Sequence, residues 1–242
     1  MLGIRLAFSG LLTALLITTF SFSQISLEIK NVDTSAETLD IYMTNQKGCS
    51  YCTDNLFTHQ NACEIYGNDY SGATWEFSTE IDSATCVAWD EDTQEGINGD
   101  YFNADVGGFQ FFLKGVTITG LSGGSTDTYL DFFDFNSNAD CDADGIGDEG
   151  CTLIVATSFD EGFIPANDQS EVLLSATFID FDGTGVCFDG LWRENINGVQ
   201  DNGDPWFWTS PVISGADIDG DGIKISADWG NCYCPENGTT DA

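Results

Sequence analysis

Two stretches of alternating aspartates carry the sharpest chemical signal in this sequence. In Asp217-Ile218-Asp219-Gly220-Asp221-Gly222, carboxylates stand at every second position, and Asp228 occupies the twelfth place counted from Asp217. Ca²⁺ takes about six to eight hard oxygen ligands, which alternate carboxylates around a glycine turn can deliver. Ile223, Ile225 and Ala227 then alternate as a strand, where the helical calcium loops continue into a helix, so Asp228 can point away from the ion. The competing reading is an Asp/Gly-rich hairpin turn with a solvated face. The second stretch, Asp140-Cys141-Asp142-Ala143-Asp144-Gly145, continues to Asp148 and Cys151, with Asn136 and Asn138 extending the alternation upstream. Asp140, Asp142, Asp144 and Asp148 are its candidate Ca²⁺ ligands, and a disulfide-closed polar loop is the alternative. A third stretch, Asp180-Phe181-Asp182-Gly183-Thr184-Gly185, reads as a hairpin turn.

The loop from Asp140 to Cys151 resembles the calcium-loaded Asp/Gly repeats of thrombospondin type 3, which implies ions wrapped by side chains at alternate positions. Other chemistry is poorly supplied. Cys49-Ser50-Tyr51-Cys52 has the spacing of a redox or zinc half-site, but no βαβ context surrounds it and His59 is the only histidine. These cysteines therefore read as structural. Ser-His-Asp or Cys-His catalysis would have to run through His59, and no G-x-S-x-G elbow occurs. A glycosidase needs only two carboxylates, which a chain with 40 acidic residues always offers, but abundance is no sign of a site. No catalytic residue is assigned. Trp192, Trp206 and Trp208, set among Asn and Asp, could stack on sugar rings or could cover one end of a core. Asn237-Gly238-Thr239 fits an N-glycosylation acceptor.

Compartment and charge narrow the partners. Arg5, the apolar run Leu11 to Ile17 and the small residues Ser21 and Ser23 read as a secretory signal peptide over 1–23, leaving Gln24 as the new N-terminus. The run is too short and too broken by threonines for a membrane span, and none follows it. The expected product is secreted, extracellular or held at the cell surface. With 6 basic residues against 40 acidic ones, the net charge of −34 repels nucleic acid and anionic lipid and favours cations. An aromatic content of 13% supplies enough apolar surface to fold, so the charge must lie on loops and outer faces.

Nine cysteines in an exported chain imply a disulfide framework. Proximity groups Cys49, Cys52, Cys63 and Cys86, pairs Cys141 with Cys151, and sends Cys187 to Cys232 or Cys234, with one thiol left over.

These residues need a scaffold, and it reads as β. Ile25, Leu27 and Ile29, then Leu39, Ile41 and Met43, then Phe109, Phe111 and Leu113, then Val116 and Ile118 alternate with period two, as strands with one buried face do. Further β-branched or aromatic runs span Tyr129 to Phe135, Thr152 to Thr157, Val172 to Phe181, Val186 to Phe188, Phe207 to Ser214 and Ile223 to Ala227. No window carries a sustained helical stripe. The expectation is an antiparallel β-sandwich or jelly roll of nine or ten strands, a single domain over 24–234 followed by a polar tail over 235–242. Residues 48–104, with four cysteines and little alternation, read as an inserted, disulfide-stapled excursion.

The segments Ser26 to Val32, Thr38 to Thr44 and above all Val106-Gly107-Gly108-Phe109-Gln110-Phe111, with the closing hairpin, resemble a cohesin-type domain. Without the insertion, 24–47 and 105–234 have about the size of that jelly roll. The resemblance implies a non-catalytic docking module whose partner is an extracellular or cell-surface protein, dockerin-like or another copy in self-assembly. The alternatives are a carbohydrate-binding sandwich, with a polysaccharide as partner, and a glycoside-active enzyme.

Overall fold

The computed structural model describes residues 24–141, 146–160, 162–189, 212–215, 224–225, 227–235 and 239–240. In chain order, the elements begin with β1 (Ile25–Asp33), β2 (Thr38–Asn45), β3 (Gly48–Cys52), α1 (Gln60–Tyr70), β4 (Trp75–Ser78), α2 (Ser83–Cys86) and β5 (Asp100–Phe102). They continue with β6 (Val106–Lys114), β7 (Thr117–Ser122), α3 (Gly124–Tyr129), β8 (Phe132–Asn136), β9 (Cys151–Thr157), β10 (Asn167–Ile179) and β11 (Cys187–Asp189). Short strands complete them: β12 (Val212–Gly215), β13 (Lys224–Ile225), β14 (Ala227–Asp228), β15 (Tyr233–Cys234) and β16 (Thr239–Thr240).

Alternation dictates the first hairpin. Ile25, Leu27 and Ile29 are buried and lie opposite Asn45, Met43 and Ile41, so slipping by one residue would turn every apolar side chain to water. Its turn is closed by Asp33, whose Oδ1 accepts from Ser35 N, Ser35 Oγ and Ala36 N; the Ser35 hydroxyl, then the two amides, hold this carboxyl below the ordinary carboxylate range.

Two larger sheets follow from such pairings. One has the order β14-β1-β2-β10-β7, antiparallel except where β14 joins β1 in parallel. The other has the order β13-β12-β6-β9-β8, with β11 beside β12 on the same edge of β6. The chain moves back and forth between them. A single apolar cluster takes Leu27, Ile41, Leu174 and Phe178 from the first sheet and Phe109, Phe111, Ile154 and Ile213 from the second. Phe109 and Phe111 stack at 5.4 Å between ring centres, and the Phe188 ring stands edge-on to Phe111.

A separate three-stranded sheet, β4-β3-β5, forms between β2 and β6. Two bridges tie its central strand to the helices, Cys49 to Cys86 and Cys52 to Cys63. Gly99 packs so tightly here that an added Cβ would lie 2.8 Å from Cys49 Sγ. Where this excursion leaves and rejoins the larger sheets, the buried Asn45 donates through Nδ2 to Ala104 O at 2.6 Å and Pro165 O at 2.9 Å. A polar side chain with 1% exposure is tolerated because both amide hydrogens are used.

Several expectations need correction. The described residues form sixteen strands rather than nine or ten, because the small sheet and the short closing strands were not legible as alternation. The run from Tyr129 to Phe135 does not begin as strand: Tyr129 ends α3, which lies against β10 with Thr126 Oγ1 donating to Leu173 O. Residues 48–104 hold two helices and three strands. The described residues of the run Ile223 to Ala227 fall in two strands, β13 in one large sheet and β14 in the other.

Candidate functional site

The cysteines make four bridges, the remaining two being Cys141 to Cys151 and Cys187 to Cys232. Cys234 is the free thiol. The Cys141–Cys151 bridge lies on the outer face of the β6/β9 sheet, where with Ala139 and Leu153 it covers the outward-facing Phe112. One disulfide therefore closes the Asp/Gly loop and roofs an apolar side chain.

Of the aspartates read as calcium ligands in that loop, Asp140 and Asp148 are described; Asp142 and Asp144 lie outside the described residues. Asp148 turns inward: Oδ2 accepts from Cys141 N at 2.8 Å, and its own amide donates to Ala139 O at 2.8 Å. One carboxylate oxygen is thus spent on the loop's backbone. In the other motif Asp217, Asp219 and Asp221 lie outside the described residues, as do Trp192, Trp206 and Trp208. Asp228 sits exposed on β14, its Oδ1 accepting from Gly230 N at 3.1 Å. Among the described residues no three His, Cys, Asp or Glu side chains converge as a metal site.

The loop meets a second one that the sequence keeps apart. Glu149 and Gly150 line an open trough of about 580 Å³ together with Lys114, Asp180, Asp182 and Asp189. Gly115 and Gly185 also line it. Gly115, at φ +95°, approaches Gly185 so closely that a Cβ on it would lie 1.9 Å from Gly185 O. Asp182 Oδ1 accepts from both Thr184 N and Thr184 Oγ1 at 2.7 Å, which keeps its carboxyl well ionised, below the ordinary range. Lys114 pairs with Asp189 at 3.3 Å. The stretch 180–185 is not the hairpin turn that its composition suggests, since it joins β10 of one large sheet to β11 of the other; it is a bent connection and one wall of an acidic trough. Nothing in the spacing of residues 149 and 180 announces that meeting; only the pairing of β6 with both β9 and β11 creates it.

The second concentration of chemistry lies on the open β8 edge of the sheet that also carries β6, β9 and β11. Among the described strands, β8 pairs only with β9. At its start Phe132 meets Phe159 edge-on at 5.7 Å, and Phe159 is 74% exposed. Asp131 fixes this pair: both its oxygens accept from Phe159 N, at 3.0 and 3.2 Å. The Ser158 hydroxyl, then the backbone amides, lower the pKa of Asp131. Exposed Tyr129 and Phe163 lie nearby in sequence on either flank.

His59 is exposed at the start of α1, and its charge opposes the burial that raises the Asp100 carboxyl above its usual range, although Asp100 keeps one side open to water. No family model, curated protein or solved structure matches this chain significantly.

Proposed function

We propose that this chain is a secreted, non-catalytic protein-binding module of cohesin type, a jelly-roll β-sandwich whose acidic loops are stiffened by Ca²⁺. The shuttling of the chain between two largely antiparallel sheets around one shared apolar cluster supports the jelly-roll reading. Four disulfides suit an oxidising compartment, and among the described residues no helix is long and apolar enough to cross a membrane.

The observation that carries the binding role is the β8 edge. An unpaired strand is a template for another chain, and natural proteins usually blunt it. Here a clamped aromatic pair flanks it instead, which is the composition of a binding anchor. The partner is an extracellular or cell-surface protein, or a second copy. Phe132→Ser/Phe159→Ser is expected to abolish retention of the partner from the producing cell's surface fraction, or to abolish self-association in light scattering, while leaving the melting temperature within about 2 °C because both rings are exposed. Binding unchanged in that variant, or binding to glycan arrays instead of protein, sinks the reading.

A further inference from the structure

The small disulfide-stapled sheet carries a cavity of its own, apart from the β8 edge. Asp54, Leu56, Phe57, Tyr66, Asp69 and Tyr70 line a hollow of about 410 Å³, within the size range of small-ligand sites. Tyr66 and Tyr70 stand edge-on at 5.7 Å, and Tyr70 is 81% exposed. The backbone that presents them is held in an uncommon shape. After Gly67, three consecutive non-glycine residues, Asn68, Asp69 and Tyr70, have positive φ of 51°, 56° and 69°. Asp54 Oδ2 accepts from Asn68 N at 2.8 Å, Asn68 Nδ2 donates to Gly72 O, and Cys63, one turn before Tyr66, is tied to Cys52. Such runs persist only where the surroundings over-determine them, and they concentrate at binding sites.

The lining chooses among ligands. Its side chains offer three aromatic rings and two carboxylates, with the tyrosine hydroxyls as the only donors. An anion would be repelled, and a neutral sugar would find too few donors. A cation gains from the negative faces of the rings and from both carboxylates, and the net charge of −34 raises its local concentration. A bare ammonium is strongly hydrated, whereas an alkylated one sheds water readily and suits a cage of rings. We infer that Phe57, Tyr66 and Tyr70, with Asp54 and Asp69, form an aromatic cage that binds an alkylated ammonium group.

The full disulfide-bonded protein is titrated with tetramethylammonium and with choline, following the tyrosine ring resonances. Both cations bind saturably, shifting the rings of Tyr66 and Tyr70 and no others. 3,3-Dimethyl-1-butanol, the neutral shape match of choline, binds at least about fivefold more weakly because the cation–π and carboxylate attractions are gone. Tyr66→Ala and Tyr70→Asn each weaken choline binding by about fivefold or more; asparagine tolerates the left-handed backbone at position 70, so that variant keeps the turn. Asp69→Asn weakens it also. The inference is overturned if no saturable shift occurs, if the neutral alcohol binds as well as choline, or if both tyrosine variants bind like the parent.

Discussion

Single polar residues hold this fold at points where apolar packing cannot. Asn45 is the plainest case, because its amide joins the two backbone segments at the root of the small sheet. Asn45→Ala leaves the buried Ala104 carbonyl and the partly buried Pro165 carbonyl without their donor, and an unsatisfied buried group costs about 1–3 kcal/mol. Urea unfolding is expected to show a loss in that range or above, with an unchanged slope. A loss below about 0.5 kcal/mol would mean that water replaces the amide. The exposed turn aspartates act differently. The folded pKa of Asp182 is depressed by the Thr184 amide and hydroxyl, so its stabilisation is present above the unfolded value of about 3.9 and is lost as pH falls through the folded one. Asp182→Ala should therefore melt below the parent at pH 7 and converge with it in acid, once pH has fallen through the depressed folded value. A gap that persists in acid would show that the carboxyl acts through packing rather than charge. None of these roles was legible beforehand: Asn45 ends an alternating strand like any surface residue, and its burial is decided by residues 104 and 165.

Elements were readable where one face is buried and unreadable where cross-links replace that pattern. Leu27, Ile41, Phe109 and Ile118 announce their strands because alternate burial is the force that forms them. β3, Gly48-Cys49-Ser50-Tyr51-Cys52, has no such alternation; it is held by two disulfides and by its neighbours β4 and β5. α1 buries little besides Cys63 and Gly67, so no apolar stripe marks it. The cysteine groupings were legible because close spacing limits the choices, whereas Cys232 over Cys234 as partner for Cys187 was settled only by the β15 geometry. The trough and the tyrosine cavity were invisible because residues distant in sequence, or a left-handed turn without glycine, create them. Cross-linking at this scale predicts a ranking. In the chain-entropy account the 10-residue separation of Cys141 and Cys151 is worth about 3 kcal/mol and the 37-residue separation of Cys49 and Cys86 about 4 kcal/mol. Cys141→Ser/Cys151→Ser should also uncover Phe112, so hydrogen exchange should quicken along β6 and β9 while the small sheet keeps its protection. Quickening in the small sheet instead would contradict the separate roles of the two frameworks.

At the scale of the whole molecule, charge opposes the fold. Forty acidic residues face six basic ones, and folding crowds them over a smaller surface than the unfolded chain offers. Two consequences have opposite signs. Neutralising the general repulsion stabilises the folded state as pH falls toward the carboxylate range, whereas protonating the capped aspartates Asp33, Asp82, Asp131 and Asp182, all held below their ordinary values, destabilises it at still lower pH. The melting temperature should therefore rise from pH 8 to a maximum near about pH 5 and then fall. Raising NaCl from about 20 mM to 500 mM at pH 7.5 should lift it as well, because a Debye length of roughly 20 Å shortens to about 4 Å and screens the loops from one another. Millimolar Ca²⁺ separates screening from binding. At equal ionic strength a general screen lets Mg²⁺ match it, whereas loops that wrap the larger ion give Ca²⁺ the greater rise, reversed by chelator. Equal effects of the two ions would remove calcium from the description of this protein and leave its acidic loops as a solvated, repelling surface.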